Sequence, residues 1–126
     1  MKTSFLTNIG LALLRIGVSL MMIFGHGLGK FQKLIAGNFE FPNPLGIGST
    51  PSLFLAVMGE FIAPILIIIG YKTRLASIPA AITMAVAYFA VHFSDPFKAQ
   101  EKALLYLLAF VVIGLVGPGK YSLDKK

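Results

Sequence analysis

The chain has no cysteine among its 126 residues. No disulfide, thiolate nucleophile, iron–sulfur cluster or CxxC redox pair can be built from it, so any thiol chemistry must come from a partner. Histidine occurs only twice, and no HExxH-type spacing is present. That argues against a zinc site within one chain, and no metal ligand set is assigned. No nucleotide-binding motif, solenoid repeat or low-complexity tract is visible. Charge is also scarce, at 13% of residues.

Apolar side chains are abundant instead. They make up 56% of the chain, and the mean hydropathy is +0.82. A soluble domain of this size covers a large surface with polar groups and falls well below that. The formal charge is +6, which in a soluble protein would point to nucleic acid or an acidic partner. Here most basic residues flank long apolar runs, where they act as topology signals. Lipid is therefore the expected partner, and nucleic acid is not.

Four apolar segments emerge, at about 5–31, 51–70, 74–93 and 96–116, and they form a single domain over 1–126. Each apolar stretch is about 20 residues, close to what a helix needs to cross ~30 Å of hydrocarbon at ~1.5 Å per residue. Lys2 before the first run also fits a cleavable signal peptide. Against that, no small-x-small site follows, and the run is too long. Thr50-Pro51 reads as a helix start and Gly70 as a stop. Thr73 is a candidate cap for the third helix, and Ser94 or Asp95 for the fourth. Gly117-Pro118-Gly119 ends the last helix. Residues 34–49 carry Gly37, Pro42, Pro44, Gly46 and Gly48 and cannot be helical throughout. Phe39, Phe41, Leu45 and Ile47 keep this outer loop oily, which suits a lid on the membrane face.

These features predict an all-α integral membrane protein, a four-helix antiparallel bundle. Lys2, Lys72, Arg74, Lys120, Lys125 and Lys126 fall on one side, with Asp124 the only acid. Lys30, Lys33, Lys98 and Lys102 fall on the other, balanced by Glu40, Asp95 and Glu101. The first side is expected to be cytoplasmic, giving N-in/C-in topology in a multi-pass protein of the cell (inner) membrane.

Two ionisable residues interrupt the middle of the segments. Arg15 lies about ten residues into the first and Glu60 about nine into the second, so counting ~1.5 Å per residue from opposite faces puts both near mid-membrane. Each costs roughly 2.5–3.5 kcal/mol to insert. The expectation is a buried Arg15–Glu60 ion pair, which can act as a packing clamp or as a functional relay. Pro64 frees the Glu60 carbonyl and offers one more acceptor. On the first helix Arg15, Ser19, Met22, His26 and Lys30 share a stripe roughly 80° wide. On the third, Ser77, Ala81, Met84, Tyr88 and His92 share another. His26, Lys30, His92 and Glu101 would then converge on the outer side. His26, His92 and Glu101 are candidate proton-transfer groups, and Ser19, Lys30 and Tyr88 candidate ligand contacts. Taken alone, Lys30 reads better as a snorkelling side chain and Glu101 as a first-turn charge on helix four; it is the two histidines at one depth that keep a functional cluster in play. Gly25 and Gly29 have the GxxxG spacing of close helix contact.

At these residues the sequence resembles the DoxX family. The resemblance rests on Leu14-Arg15-Ile16-Gly17, Gly25-His26-Gly27-Leu28-Gly29-Lys30-Phe31 and Gly59-Glu60-Phe61. It continues through Gly70-Tyr71-Lys72-Thr73-Arg74-Leu75-Ala76, His92-Phe93 and Glu101-Lys102-Ala103-Leu104-Leu105-Tyr106-Leu107. It ends on Gly117-Pro118-Gly119-Lys120-Tyr121-Ser122-Leu123-Asp124. Ala99-Gln100 stands where that family often has Gly-Gly. The resemblance implies a bacterial or archaeal four-helix membrane protein associated with oxidoreductase complexes. Family members resemble membrane subunits of thiosulfate:quinone oxidoreductase, or of assemblies linking thiol and oxidative-stress chemistry to the membrane. Wider relatives act in methylamine dehydrogenase maturation or as cargo receptors. The function expected on this basis is a quinone-linked membrane subunit. A quinone would bind at the outer cluster, a soluble redox partner protein would supply electrons, and the chain itself would hold no cofactor. Two other classes stay open: a non-enzymatic scaffold or receptor for a soluble partner, and a small transporter or lipid-binding protein working as a homo-oligomer.

Overall fold

The computed structural model describes residues 4–42, 45–91 and 95–124, without the side chains of Val91 and Ala99. Among these residues the structure is all helical, with four helices. The first joins Phe5–Met22, Ile23–Gly27 and Leu28–Ile35 into one run of 31 residues. The Ser4 side chain caps its start by accepting from the Thr7 N–H at 3.1 Å. The helix continues to Ile35 instead of stopping near Phe31, because no breaker comes before Gly37, which turns the chain at φ 75°.

The second helix joins Ser49–Val57, Met58–Ile62 and Ala63–Ile69. Pro51 sits in its first turn, where a missing N–H leaves no bond unmade. Gly70, at φ 74°, ends it. The third joins Thr73–Val86 and Ala87–Val91, and the fourth is Phe97–Val116. Ala87–Val91, like Ile23–Gly27 and Met58–Ile62, is wound as a wider π-type turn. In the second helix the Ala63 N–H reaches back to the Met58 carbonyl. The next residue, Pro64, has no N–H to offer Glu60. Such bulges recur at functional sites.

The core draws on all four helices: Met22, Ala63 and Ile67, Ala76, Ala80 and Met84, Phe110 and Ile113. Outside it the usual order is reversed. Leu13, Phe24, Phe54, Ile82, Leu108 and Leu115 are exposed, whereas Asn8, Arg15, Ser19, Ser52, Glu60, Thr73 and Ser77 are buried. A helix in water turns its apolar stripe inward. Apolar side chains outside and polar ones inside fit a chain solvated by lipid. Three of the helices, beginning at Phe5, Ser49 and Thr73, are long and apolar enough to cross a membrane.

After Gly117 the chain folds across one end of the helices, here called the tail end. The Lys120 N–H donates to Asn8 Oδ1 at 2.9 Å. The Leu123 and Asp124 N–H groups donate to the Ile69 and Gly70 carbonyls at 3.2 and 2.9 Å. The Asp124 carboxylate accepts from the Lys72 and Thr73 N–H groups at 2.9 and 2.8 Å. Thr73 was the expected cap of the third helix, but a side chain 51 residues further on does that work. A carboxylate there also complements the positive end of the helix dipole.

Candidate functional site

Arg15 and Glu60 are both buried, 1% and 4% exposed, but they do not pair with each other. Arg15 Nη1 donates to the carbonyls of Ile67 and Ile68 at 2.9 and 2.5 Å, and Nη2 to that of Tyr121. Glu60 Oε1 instead accepts from Lys30 Nζ at 2.5 Å. The expected Arg15–Glu60 pair is thus replaced by a Lys30–Glu60 pair at the loop end and an arginine clasp at the tail end.

The reason is side-chain direction. Every Cα–Cβ bond leans toward its helix N-terminus. Arg15 therefore reaches back along the first helix, away from Glu60 and onto the carbonyls that end the second. Lys30 leans back the same way and comes down onto Glu60. The two backbones meet at this level: a Cβ built on Gly27 would lie 2.0 Å from the Glu60 carbonyl oxygen. That oxygen is the one Pro64 cannot bond, and it lies against the bare glycine. Next to it Phe31 and Phe61 stack, with centroids 4.4 Å apart and planes 8° from parallel.

The loop covers this pair. The Phe41 ring lies 6.0 Å from Lys30 Nζ, a cation–π contact, and Lys33 Nζ donates to the Glu40 carbonyl at 2.5 Å. His26, half-buried and about one turn before Lys30, meets the edge of Tyr106 with centroids 5.6 Å apart at 87°. Tyr106 belongs to the wall of an open apolar groove between the first and fourth helices, about 220 Å³, with Val18, Met21, Lys102, Leu105 and Ala109. Tyr106 is the residue that the outer-cluster reasoning missed. Its signal was present: Ala103, Phe110 and Ile113 are the buried face of the fourth helix, and Tyr106 falls on the same helical stripe.

The other expected contacts divide. Ser19 is fully buried, and its hydroxyl has no hydrogen-bond partner among the described residues. Tyr88 is half-buried in the π-type turn of the third helix, its ring 4.7 Å from that of Phe89. Glu101 is exposed and makes no ion pair among the described residues, so it is not joined to Lys30 or His26 as expected. His92 lies outside the described residues, as do Lys2, Lys125 and Lys126. Among the described residues no three His, Asp or Glu side chains come together as a metal site.

Comparison with known proteins agrees with the sequence motifs. The DoxX family model matches residues 10–93. Two curated relatives, both Haemophilus influenzae proteins described as uncharacterized, are similar along most of their length. One is 36% identical, covering 92% of this chain and 89% of the relative; the other is 28% identical, covering 86% and 82%. No solved structure matches. The family match covers most of the chain and takes in Arg15, its acceptors Ile67 and Ile68, and the Lys30–Glu60 pair; the chain belongs to the DoxX family.

Proposed function

We propose that this chain is a multi-pass inner-membrane protein that binds the head of a quinone or a similar amphiphile at the loop end, as the membrane subunit of a quinone-linked oxidoreductase system. In this reading all four helices span the bilayer, neighbours run antiparallel, and both termini face the cytoplasm. Opposite contact order supports the antiparallel pairing, since Arg15 meets Ile67 whereas the later Gly27 and Lys30 meet the earlier Glu60. The fourth helix, at 20 residues, covers ~30 Å at ~1.5 Å per residue. In the sequence, Lys2, Lys72, Arg74, Lys120, Lys125 and Lys126 flank the tail-end side against Lys30, Lys33, Lys98 and Lys102 on the other, and the richer side is taken as cytoplasmic.

The observation that carries this reading is a buried carboxylate paired with a lysine that is not itself fully buried. Lys30 keeps 26% of its side chain exposed, against 5% for Glu60. Lys30 and His26 present donors to the carbonyl oxygens of a quinone head. The groove beside Tyr106 is apolar enough to hold an isoprenoid tail. Full reduction of a quinone takes up two electrons and two protons. The electrons come from a soluble partner protein, since the sequence offers no cysteine or recognisable cofactor motif to relay them. His26 is suited to pass the protons and Glu60 to hold one.

The test uses the full chain in quinone-free nanodiscs, titrated with menaquinone or ubiquinone and followed by quenching of tyrosine fluorescence. Bound quinone is then quantified by extraction. The expected result is saturable retention, weakened about tenfold or more by His26→Ala and by Lys30→Gln, the loss of one charge-assisted hydrogen bond. Retention equal to that of empty nanodiscs, or unchanged in both variants, overturns the quinone reading and favours a scaffold for a soluble partner.

A further inference from the structure

A second concavity, of about 280 Å³, opens at the tail end, far from the Lys30–Glu60 pair. Lys72, Thr73, Arg74, Leu75, Pro118 and Asp124 form its wall. The carboxylate in this wall is already engaged, since Asp124 accepts both N–H groups at the start of the third helix. The two cations are not balanced in the same way. Lys72 and Arg74 are exposed and make no ion pair among the described residues. The Lys72 ammonium lies over the Tyr71 ring at 5.6 Å, and Arg74 Nη2 has only a long contact, 3.5 Å, to the Val116 carbonyl. Between them stands Thr73, fully buried, whose hydroxyl has no hydrogen-bond partner among the described residues. Leu75, 62% exposed, adds an apolar edge on the lipid side.

We infer that this concavity binds the headgroup of an anionic phospholipid, its phosphate between Lys72 and Arg74 and an acyl chain along Leu75. The cavity combines two charges of one sign with an apolar edge at the level where helices end. A soluble anion needs only the first of these; an acidic amphiphile in the bilayer uses both. Arg presents a fork matched to phosphate oxygens, and Lys a point charge beside it. Basic pockets between helix ends recur as acidic-lipid sites. The inference does not depend on the quinone reading or on which leaflet the tail end faces.

The test is native mass spectrometry of the full chain released from micelles holding equimolar dioleoyl phosphatidylglycerol and dioleoyl phosphatidylcholine. The wild type is expected to retain phosphatidylglycerol in preference. Lys72→Gln and Arg74→Gln should each lower that preference about fivefold, as expected for one basic residue at a lipid surface. Lys120→Gln, the same charge change on the same face but outside the cavity wall, should leave it in place. If Lys120→Gln lowers it equally, the attraction is diffuse and no site exists. If neither cavity variant changes it, or if inorganic phosphate displaces the lipid at equal concentration, the lipid site is refuted. Should Arg74→Gln fail to fold by circular dichroism, Lys72→Gln alone decides the matter, since its ammonium meets only a surface ring.

Discussion

Replacing Gly27 by alanine should be the most damaging single methyl addition in the Gly25-His26-Gly27-Leu28-Gly29 stretch. A Cβ there would sit 2.0 Å from the Glu60 carbonyl oxygen, 2.6 Å from its carbon and 3.0 Å from Phe61 Cα. Ordinary contact begins at 3.4 Å, so the second helix would have to retreat by about 1.4 Å. All three obstacles are backbone, so no rotamer change relieves them. Overpacking of this kind costs about 1–3 kcal/mol, and a backbone obstacle belongs at the top of that range. Alanine returns roughly 0.5–1 kcal/mol of helix stability over glycine. The net loss is about 2 kcal/mol, which lowers the folded-to-unfolded ratio roughly 30-fold. Gly25 and Gly29 have nothing within 4 Å of an added Cβ. Alanine at either should be neutral or should stabilise by up to about 1 kcal/mol. Reversible unfolding in mixed detergent and dodecyl sulfate micelles, followed by circular dichroism, measures all three. If Gly27→Ala unfolds at the wild-type detergent fraction, or if Gly25→Ala and Gly29→Ala are as harmful, the contact between the first two helices is misassigned.

The other predictions use the same unfolding assay. Lys30→Met strands a buried carboxylate and should cost about 3 kcal/mol, whereas Glu60→Leu leaves a lysine able to turn outward and should cost about 1 kcal/mol. The double variant Lys30→Met with Glu60→Leu should recover most of the larger loss. Arg15→Leu combined with Glu60→Leu should instead be additive within about 0.5 kcal/mol, because the two sites share no partner; recovery in that pair would restore the direct ion pair. Asp124→Ala removes the cap of the third helix and should cost about 1 kcal/mol. It should also speed amide exchange at Lys72 and Thr73 and expose the tail to limited proteolysis; unchanged exchange at both would refute the capping role.

Much of the architecture was legible because its signals are local. Apolar runs, Pro51 in a first turn, and stops at Gly70 and Gly117 each depend on a few neighbouring residues. The site was less legible because depth was counted from the segment ends. The first helix is 31 residues long, which is about 46 Å at ~1.5 Å per residue and well beyond ~30 Å of hydrocarbon. Position along it is therefore a poor measure of depth, and the lean of each side chain decides its partner. The spacing rule for close-packed glycines likewise picked out Gly25 and Gly29, whereas the backbone contact is at Gly27. The wide turn over Ile23–Gly27 shifts the helix face, and a fixed spacing cannot anticipate that shift. The cap from Asp124 was hidden for another reason: capping signals are read within about four residues, and this one comes from 51 residues further along.

The two polar layers differ in a way that separates structure from function. Arg15 gives its charge to backbone carbonyls of Ile67, Ile68 and Tyr121. Those oxygens cannot be titrated or moved without unwinding a helix end or the tail. A guanidinium at the negative end of the second helix is also favoured by its dipole, so nothing there is gained by letting go. Lys30 holds Glu60 by a single flexible stem, keeps part of its surface open, and lies beneath one aromatic ring of the loop. A ligand that offers the ammonium a new acceptor can draw it away, and the carboxylate left behind can take up a proton instead of remaining an unpaired charge. Exchange of partners is therefore open to the Lys30–Glu60 pair and closed to Arg15. On the proposed reading, the chemistry therefore belongs at the loop end and the mechanical fastening at the tail.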